Sequence, residues 1–170
     1  MAFYGDGSNL TGVGATYGAY TAFGTSGYVD LTGIASDTRK TTILVYKWSS
    51  SSSFNFYMKL GDSGGIESSG YEGTSWYQNG GSSGSYNNYT QEFRLPIGSS
   101  THTMSGRIVI GRAHDTSHVY VCEGYFGDSG STLMAGFGGA KQLSGTLDRV
   151  RLGFTSGNAD TGAYRVIQES

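Results

Sequence analysis

The chain has 170 residues, of which 36% are hydrophobic, 14% aromatic and 14% charged, and its 11 basic and 13 acidic side chains leave a net charge of -2. Disordered chains carry more charge and fewer aromatic residues, collagen has glycine at every third position, and helical bundles need more strong helix formers than a chain with 29 glycines offers. We therefore expect one folded domain with an appended arm, and neither nucleic acid nor an acidic membrane as a partner.

The first 27 residues differ from the rest of the chain. They contain a single charged residue, Asp6, and no apolar run long enough to form a core. We predict that residues 1–27 form an arm that packs on another surface. The segment also lacks the charged and apolar regions of a signal peptide, and the chain has no apolar run of membrane-spanning length, so we expect synthesis in a cytoplasm and no membrane partner.

From residue 28 onward, β-branched or alternating segments separated by Gly- and Ser-rich turns predict about nine strands and no helix. The predicted strands span residues 28–34, 41–48, 54–60, 92–95, 104–112, 118–126, 132–137, 147–154 and 163–167. Residues 79–85 are predicted to form a flexible loop. Strands at this spacing are typical of an antiparallel two-sheet sandwich, which we assign to residues 28–170.

Two of these strands suggest which residues form the core. Trp48 ends the nearly apolar strand 41–48 and is predicted to be buried. In the strand 118–126 the alternation is centred on Val119, Val121 and Tyr125. The single cysteine, Cys122, lies in this strand, and we predict a buried, inert thiol.

Patterns for catalysis or metal binding are sparse. His114 and His118 would share one face of a helix and could bind zinc there. They lie between two predicted strands, so we expect the pair to straddle a turn and to hold no metal. No serine lies in a G-x-S-x-G elbow between a strand and a helix. We therefore predict a protein that is not an enzyme and needs no cofactor.

Carboxylate pairs were considered because glycoside cleavage needs two, one of them in an apolar pocket that raises its pKa. Glu67, Glu72 and Glu92 lie among polar residues, and we expect them to be solvated. Asp62 and Asp128 each begin an Asp-Ser-Gly triplet, but no second and third carboxylate follows at the spacing of a calcium loop. Both triplets are predicted to be turns.

Aromatic residues in the polar segment 71–90 suggest a binding role. Tyrosine, serine, glycine and asparagine together form adaptable recognition surfaces, and aromatic rings stack on sugars. Trp76, Tyr77, Tyr86 and Tyr89 are therefore candidates for an exposed recognition loop. The alternative, left open here, is that they fill the sandwich or a contact between subunits.

Four parts of the chain resemble structural proteins of tailed bacteriophages, with a cyanophage-like character. Residues 5–12 read GDGSNLTG and resemble the GDGSxLTG segment of phage tail fibres and other virion proteins. Residues 145–166 resemble the last two strands of phage jelly-roll domains, and residues 28–34 and 58–64 resemble earlier strands of the same pattern. The family tends to end in LYGI, where this chain has Arg165, Val166 and Ile167.

This resemblance implies an all-β jelly-roll-like sandwich with an extended N-terminal arm and a non-enzymatic role in the virion. A capsid decoration, or cement, protein is the first choice, with the major capsid protein as partner. A short tail or head fibre, or a receptor-binding tip that recognises host glycan, is the alternative, and a polysaccharide-degrading enzyme is a third class. Related phage sandwiches often trimerise, so we expect a homotrimer. The expected attachment residues of the arm are Asp6, Gly7, Ser8, Asn9, Leu10 and Thr11.

Overall fold

The computed structural model describes residues 14–96, 99–114 and 116–170, with the backbone alone for residues 86–88. These residues form two antiparallel sheets that pack as a sandwich, and no helix occurs among them. The prediction of an all-β two-sheet sandwich is thereby confirmed. The described strands are β1 (Ala15–Tyr17), β2 (Thr21–Ala22), β3 (Tyr28–Thr32), β4 (Lys40–Ser50), β5 (Phe56–Asp62), β6 (Gly65–Ile66), β7 (Tyr71–Asn79), β8 (Ser82–Tyr89), β9 (Phe93–Leu95), β10 (Met104–Arg112), β11 (Val119–Asp128), β12 (Leu133–Gln142), β13 (Arg149–Phe154) and β14 (Ala159–Glu169).

The two sheets differ in size. The larger has nine strands in the order β1-β14-β4-β10-β11-β12-β7-β8, with β2 also paired to β14. The smaller has five strands in the order β3-β13-β5-β6, with β9 also paired to β5. Because side chains alternate along each strand, every strand sends one set of side chains into the space between the sheets and the other set outward.

The core lies between the sheets and is rich in aromatic side chains. Trp48 is only 2% exposed, as predicted, and its ring packs against Phe56 and Phe154. Cys122 is also buried, and burial raises the pKa of its thiol well above the usual value. The prediction of a buried thiol is confirmed. The smaller sheet adds further buried side chains, including Leu152.

On β11, the alternation at Val119, Val121 and Tyr125 does not mark the core, whereas the predicted burial of Cys122 does. Val121 and Tyr125 point outward and are exposed, whereas Tyr120, Cys122 and Phe126 point into the core. Both sets of alternate residues on this strand contain large apolar side chains, so apolar alternation alone did not decide which set is buried, although Glu123 belongs to the outward set.

The prediction of a flexible loop at residues 79–85 is wrong, because these residues form the turn and the adjoining strand ends of a β-hairpin. Strands β7 and β8 pair along their length, and the register places Asn79 opposite Ser82. Gly80 and Gly81 therefore form a two-residue turn, and Gly80 has a φ of 56°, which glycine adopts without strain. Few apolar residues mark these strands, which are held by main-chain pairing.

Residues 14–27 of the expected arm lie along the edge of the larger sheet. β1 and β2 both pair with β14, and the ring of Phe23 stacks on Trp48. The predicted attachment residues 6–11 lie outside the described part of the chain.

Candidate binding surface

The outer side of the larger sheet carries most of the exposed large hydrophobic side chains. Tyr20, in the connection between β1 and β2, reaches the same side because its ring contacts the guanidinium of Arg165. Among the described residues, the one exposed large hydrophobic side chain elsewhere is Tyr28, on the smaller sheet. An exposed apolar surface of this kind marks a contact or binding site. Its members on strands of the larger sheet are Tyr17, Tyr46, Trp76, Val121, Tyr125 and Met134.

One row of this surface crosses six strands. Strands in a sheet are about 4.8 Å apart, so the row extends about 24 Å from β14 to β7. Its two ends carry a cation and an indole respectively. The residues in register along the row are Arg165, Leu44, Arg107, Tyr125, Gly136 and Trp76.

Trp76 and Tyr125 form an aromatic pair across Gly136. Their ring centroids are 6.4 Å apart and their planes meet at 56°. A Cβ atom at Gly136 would lie 2.8 Å from Nε1 of Trp76, so the indole covers the glycine directly. Trp76 is 36% exposed and Tyr125 47% exposed. The pair therefore offers aromatic surface to a ligand while the glycine supports the indole from below.

The structure separates the four aromatic residues that the sequence grouped together. Trp76 points outward, but Tyr77 points toward the core, where its ring covers Gly84. Tyr89 is partly buried beneath the guanidinium of Arg94, whose carbon lies 4.8 Å from the ring centroid. The side chain of Tyr86 lies outside the described part of the chain. The partner of Trp76 is Tyr125, an exposed residue of β11.

A groove runs from this aromatic pair along β12. Its floor consists of Gly138 and Ala140, which lie between the outward side chains of β7 and β11, and at its aromatic end the indole of Trp76 covers Gly136. The two flanking strands are two strand spacings apart, about 10 Å. We call this feature the β12 groove. Beyond the floor, it opens into a depression of about 590 Å³ lined by Glu67, Gly70, Glu72, Val119, Ala140, Lys141, Gln142, Leu143 and Ser144.

A polar cluster closes the depression. The side chain of Lys141 is 4% exposed, and its ammonium donates hydrogen bonds to Glu67 and to the carbonyl oxygen of Gln142. The backbone N–H of Ser144 donates to Oε1 of Glu67 at 2.7 Å, and its Oγ lies 2.8 Å from both Glu67 Oε1 and Asp62 Oδ2. Partial burial would raise the pKa of Glu67, but these hydrogen bonds outweigh it and lower the pKa.

The cluster ties two connections together. Asp62, at the β5–β6 turn, also accepts a hydrogen bond from the Gly64 N–H at 2.8 Å, as the predicted turn requires. The hydrogen bond from Ser144, followed by that from Gly64, lowers the pKa of Asp62. Because both carboxylates are engaged and Lys141 is neutralised, the cluster acts as a clamp at the end of the groove.

The other candidates from the sequence have structural partners. Glu92 is buried and ion-paired with Arg94 and Lys59, so the prediction that it is solvated is wrong. Burying the carboxylate is tolerated because two cations surround it. Glu72, by contrast, is exposed at the depression.

The two histidines examined for zinc binding lie in the connection between β10 and β11, as predicted. His114 Nδ1 accepts a hydrogen bond from the Thr116 N–H at 3.3 Å, and His118 Nδ1 lies 3.5 Å from Oγ1 of Thr146. Within the described ranges, no three His, Cys, Asp or Glu side chains cluster as a metal site would require. Among the same residues, no helix is long and apolar enough to cross a membrane.

No protein-family model matches the chain, and no curated protein is significantly similar to it in sequence.

Proposed function

We propose that this chain is a non-enzymatic structural protein of a tailed-bacteriophage virion, a capsid decoration protein with a jelly-roll-like sandwich and an N-terminal attachment arm. The observation that carries the proposal is the concentration of exposed aromatic and aliphatic side chains on one side of the larger sheet. Tyrosine, tryptophan, methionine and arginine are enriched where proteins contact each other. The phage-like sequence at residues 5–12 supports the virion as the place of action.

The attachment face comprises Tyr17, Tyr20, Tyr46 and Arg165. These residues lie on the side of the larger sheet next to the N-terminal segment, and the guanidinium of Arg165 lies over the rings of both Tyr17 and Tyr20. Holding the guanidinium between two rings fixes three long side chains before binding, which lowers the entropy lost on contact. This half of the sheet is the proposed contact with the capsid shell.

The proposed mechanism is binding alone. A protein that binds the assembled shell but not its free subunits stabilises only the assembled state, by about 2.7 kcal/mol per site at a concentration 100 times its Kd. We expect the protein to act as a homotrimer. Light scattering should then give three times the chain mass of 18.0 kDa.

The test uses virions stripped of this protein and then incubated with purified variants. Replacing Tyr17 and Tyr20 by alanine should weaken particle binding and lower the temperature of DNA release to that of stripped particles. Tyr28→Ala is the matched control, because Tyr28 is exposed on the opposite sheet. Equal protection by all variants would overturn the assignment of the attachment face.

The arm is tested separately with a chain that starts at Gly14. This variant retains β1, β2 and Phe23, which pair or pack with the sandwich. It should keep the β-sheet spectrum of the full chain but lose particle binding. Binding equal to that of the full chain would exclude the phage-like motif as the attachment segment.

A short fibre or receptor-binding tip is the second candidate function. The exposed pair of Trp76 and Tyr125 favours it, because aromatic rings at a surface are suited to glycan recognition. Under this alternative, particles lacking the protein release DNA at an unchanged temperature but adsorb poorly to cells. Measuring both properties on the same particles decides between the two roles, and hydrolysis of host polysaccharide by the purified protein would contradict both.

A further inference from the structure

We infer that the β12 groove binds a single chain of neutral polysaccharide, with Trp76 and Tyr125 as its stacking platform. The inference deepens the second candidate function, on which it rests, by naming the class of ligand and the groove that holds it; it is independent of the decoration role.

The shape of the groove suits an extended polymer. The aromatic pair lies at one end and the depression of about 590 Å³ at the other. From Gly136, at the aromatic pair, to Gln142, in the depression, the groove is about 20 Å long at 3.4 Å per residue, and it is about 10 Å wide. Along the groove floor, the outward side chains of β7 and β11 are longer than those of β12 between them. A sugar chain can therefore approach the backbone of β12, because Gly138 has no side chain to fill the space.

The ring positions suit saccharides in particular. The indole of Trp76 is supported by Gly136 on one side, so it is held in place before a ligand arrives. The ring of Tyr125, tilted by 56° to it, forms a second contact. A pyranose ring has apolar C–H groups on its faces and hydroxyl groups at its edge, which matches aromatic surface surrounded by polar side chains.

The charges of the groove disfavour an anionic ligand. Glu123 and Glu72 lie on opposite walls, and their carboxylates can accept hydrogen bonds from sugar hydroxyl groups. The ammonium of Lys141 at the far end is already neutralised by Glu67. Arg107, in register with Tyr125, can donate to hydroxyl groups at the aromatic end. An anionic polymer would meet two carboxylates for each arginine and is disfavoured.

The fluorescence of Trp76 can report directly on binding at this site. It has two tryptophans, of which Trp48 is 2% exposed and Trp76 is 36% exposed. Quenching of fluorescence by acrylamide therefore reports mainly on Trp76. The full chain is titrated with dextran, a β-1,3-glucan and galactomannan as neutral polymers, and with alginate as the anionic one. At least one neutral polymer should reduce quenching about twofold, and alginate should not.

Variants then assign the effect to the groove, with binding measured by calorimetry. Tyr125→Ala should weaken binding roughly tenfold, as expected for the loss of one stacked ring. Tyr125→Phe keeps the ring and should keep the affinity, and it also guards against a folding defect. Tyr28→Ala is the control, because Tyr28 is an exposed tyrosine on the other sheet, outside both the groove and the attachment face.

Three outcomes would overturn the inference. The first is that no neutral polymer protects Trp76, and the second is that Tyr125→Ala binds as tightly as the unmodified chain. The third is that Trp76 is protected from acrylamide without any polymer and that dilution of the protein abolishes this protection. That result would identify a second copy of the chain as the occupant of the groove. Particle binding measured with the same variants keeps the decoration proposal separate, since it can succeed where polysaccharide binding fails.

Discussion

Phe23 stacks on Trp48 with ring centroids 4.2 Å apart and planes only 6° from parallel. Phe23 follows β2 at the edge of the larger sheet, while Trp48 belongs to the core on β4. Phe23 also contacts Tyr164, whose ring centroid lies 5.0 Å away. The end of the N-terminal segment is thus joined to the core by aromatic packing as well as by main-chain pairing.

Phe23→Ala should lower the free energy of unfolding by about 2 kcal/mol. This is less than for a fully buried phenylalanine, because Phe23 is only partly buried. For a chain of this size the midpoint temperature should fall by about 4–8 °C. Thermal and urea unfolding followed by circular dichroism measure both quantities. Thr25→Ala, an exposed change in the same segment, is the control and should stay within about 0.5 kcal/mol.

Adjacent glycines on β12 should respond oppositely to alanine. A Cβ at Gly139 would lie 2.1 Å from the carbonyl oxygen of Glu72, which is backbone and cannot easily yield. We expect Gly139→Ala to lower the free energy of unfolding by about 1–3 kcal/mol. At Gly138 the nearest atom would be 3.8 Å away, so Gly138→Ala should be neutral or stabilising by about 0.5 kcal/mol. Similar losses for both variants would show that crowding is not the cause.

Strand periodicity predicted the sandwich but not which face of every strand is buried. On β13, the apolar residues Val150, Leu152 and Phe154 alternate with polar ones, and all three are buried. On β11 both sets of alternate residues contain apolar side chains, and the set with Tyr120 and Phe126 is the buried one. That choice depends on the neighbouring strands, which a single segment does not specify.

Of the candidate site, the exposed tryptophan was predictable from the sequence, but its pairing with a tyrosine was not. Trp76 was identified from its polar, tyrosine-rich surroundings and is indeed exposed. Its partner Tyr125 is far away in sequence and becomes its neighbour only through the pairing of β12 with both β11 and β7. The available signal was that Tyr125 shares a face of β11 with the charged Glu123, which indicates exposure. The register of β11, β12 and β7, which places Tyr125 next to Trp76, could not be derived from that signal.

Acid should destabilise the protein in part through Asp128. Burial would raise the pKa of this carboxyl group, but hydrogen bonds from Ser131, His102 and the Thr103 and Gly130 N–H groups lower it to about 2. A carboxyl group with a lower pKa in the folded state stabilises the fold above its unfolded pKa near 3.9, and this stabilisation is lost as the pH falls toward 2.

Asp128→Asn tests this contribution. The unmodified chain should lose about 1–2 kcal/mol more than the variant between pH 5 and pH 2, measured as the free energy of unfolding in urea. Asp160→Asn is the control, since Asp160 is exposed on β14 and should leave the pH dependence unchanged. Parallel pH profiles for Asp128→Asn and the unmodified chain would assign the acid sensitivity to other carboxyl groups, such as Asp62 and Glu67.

Substitutions of Lys141 and Glu67 should have strongly coupled effects on the free energy of unfolding. Lys141 is 4% exposed, so Glu67→Gln leaves a buried ammonium without its counter-ion and should lower the free energy of unfolding by about 2–4 kcal/mol. Lys141→Met should cost less, because Glu67 is 24% exposed and keeps its hydrogen bonds from Ser144.

The double variant distinguishes a mutual interaction from two separate defects. Replacing both groups removes the unpaired charge, so the combined loss should be smaller than the sum of the single losses by about 1–3 kcal/mol. Glu72→Gln, an exposed change at the same depression, should alter stability by less than about 0.5 kcal/mol. Additive losses would mean that Lys141 is stabilised chiefly by the Gln142 carbonyl and by the ring of Tyr71, which lies 5.5 Å from its Nζ, rather than by Glu67.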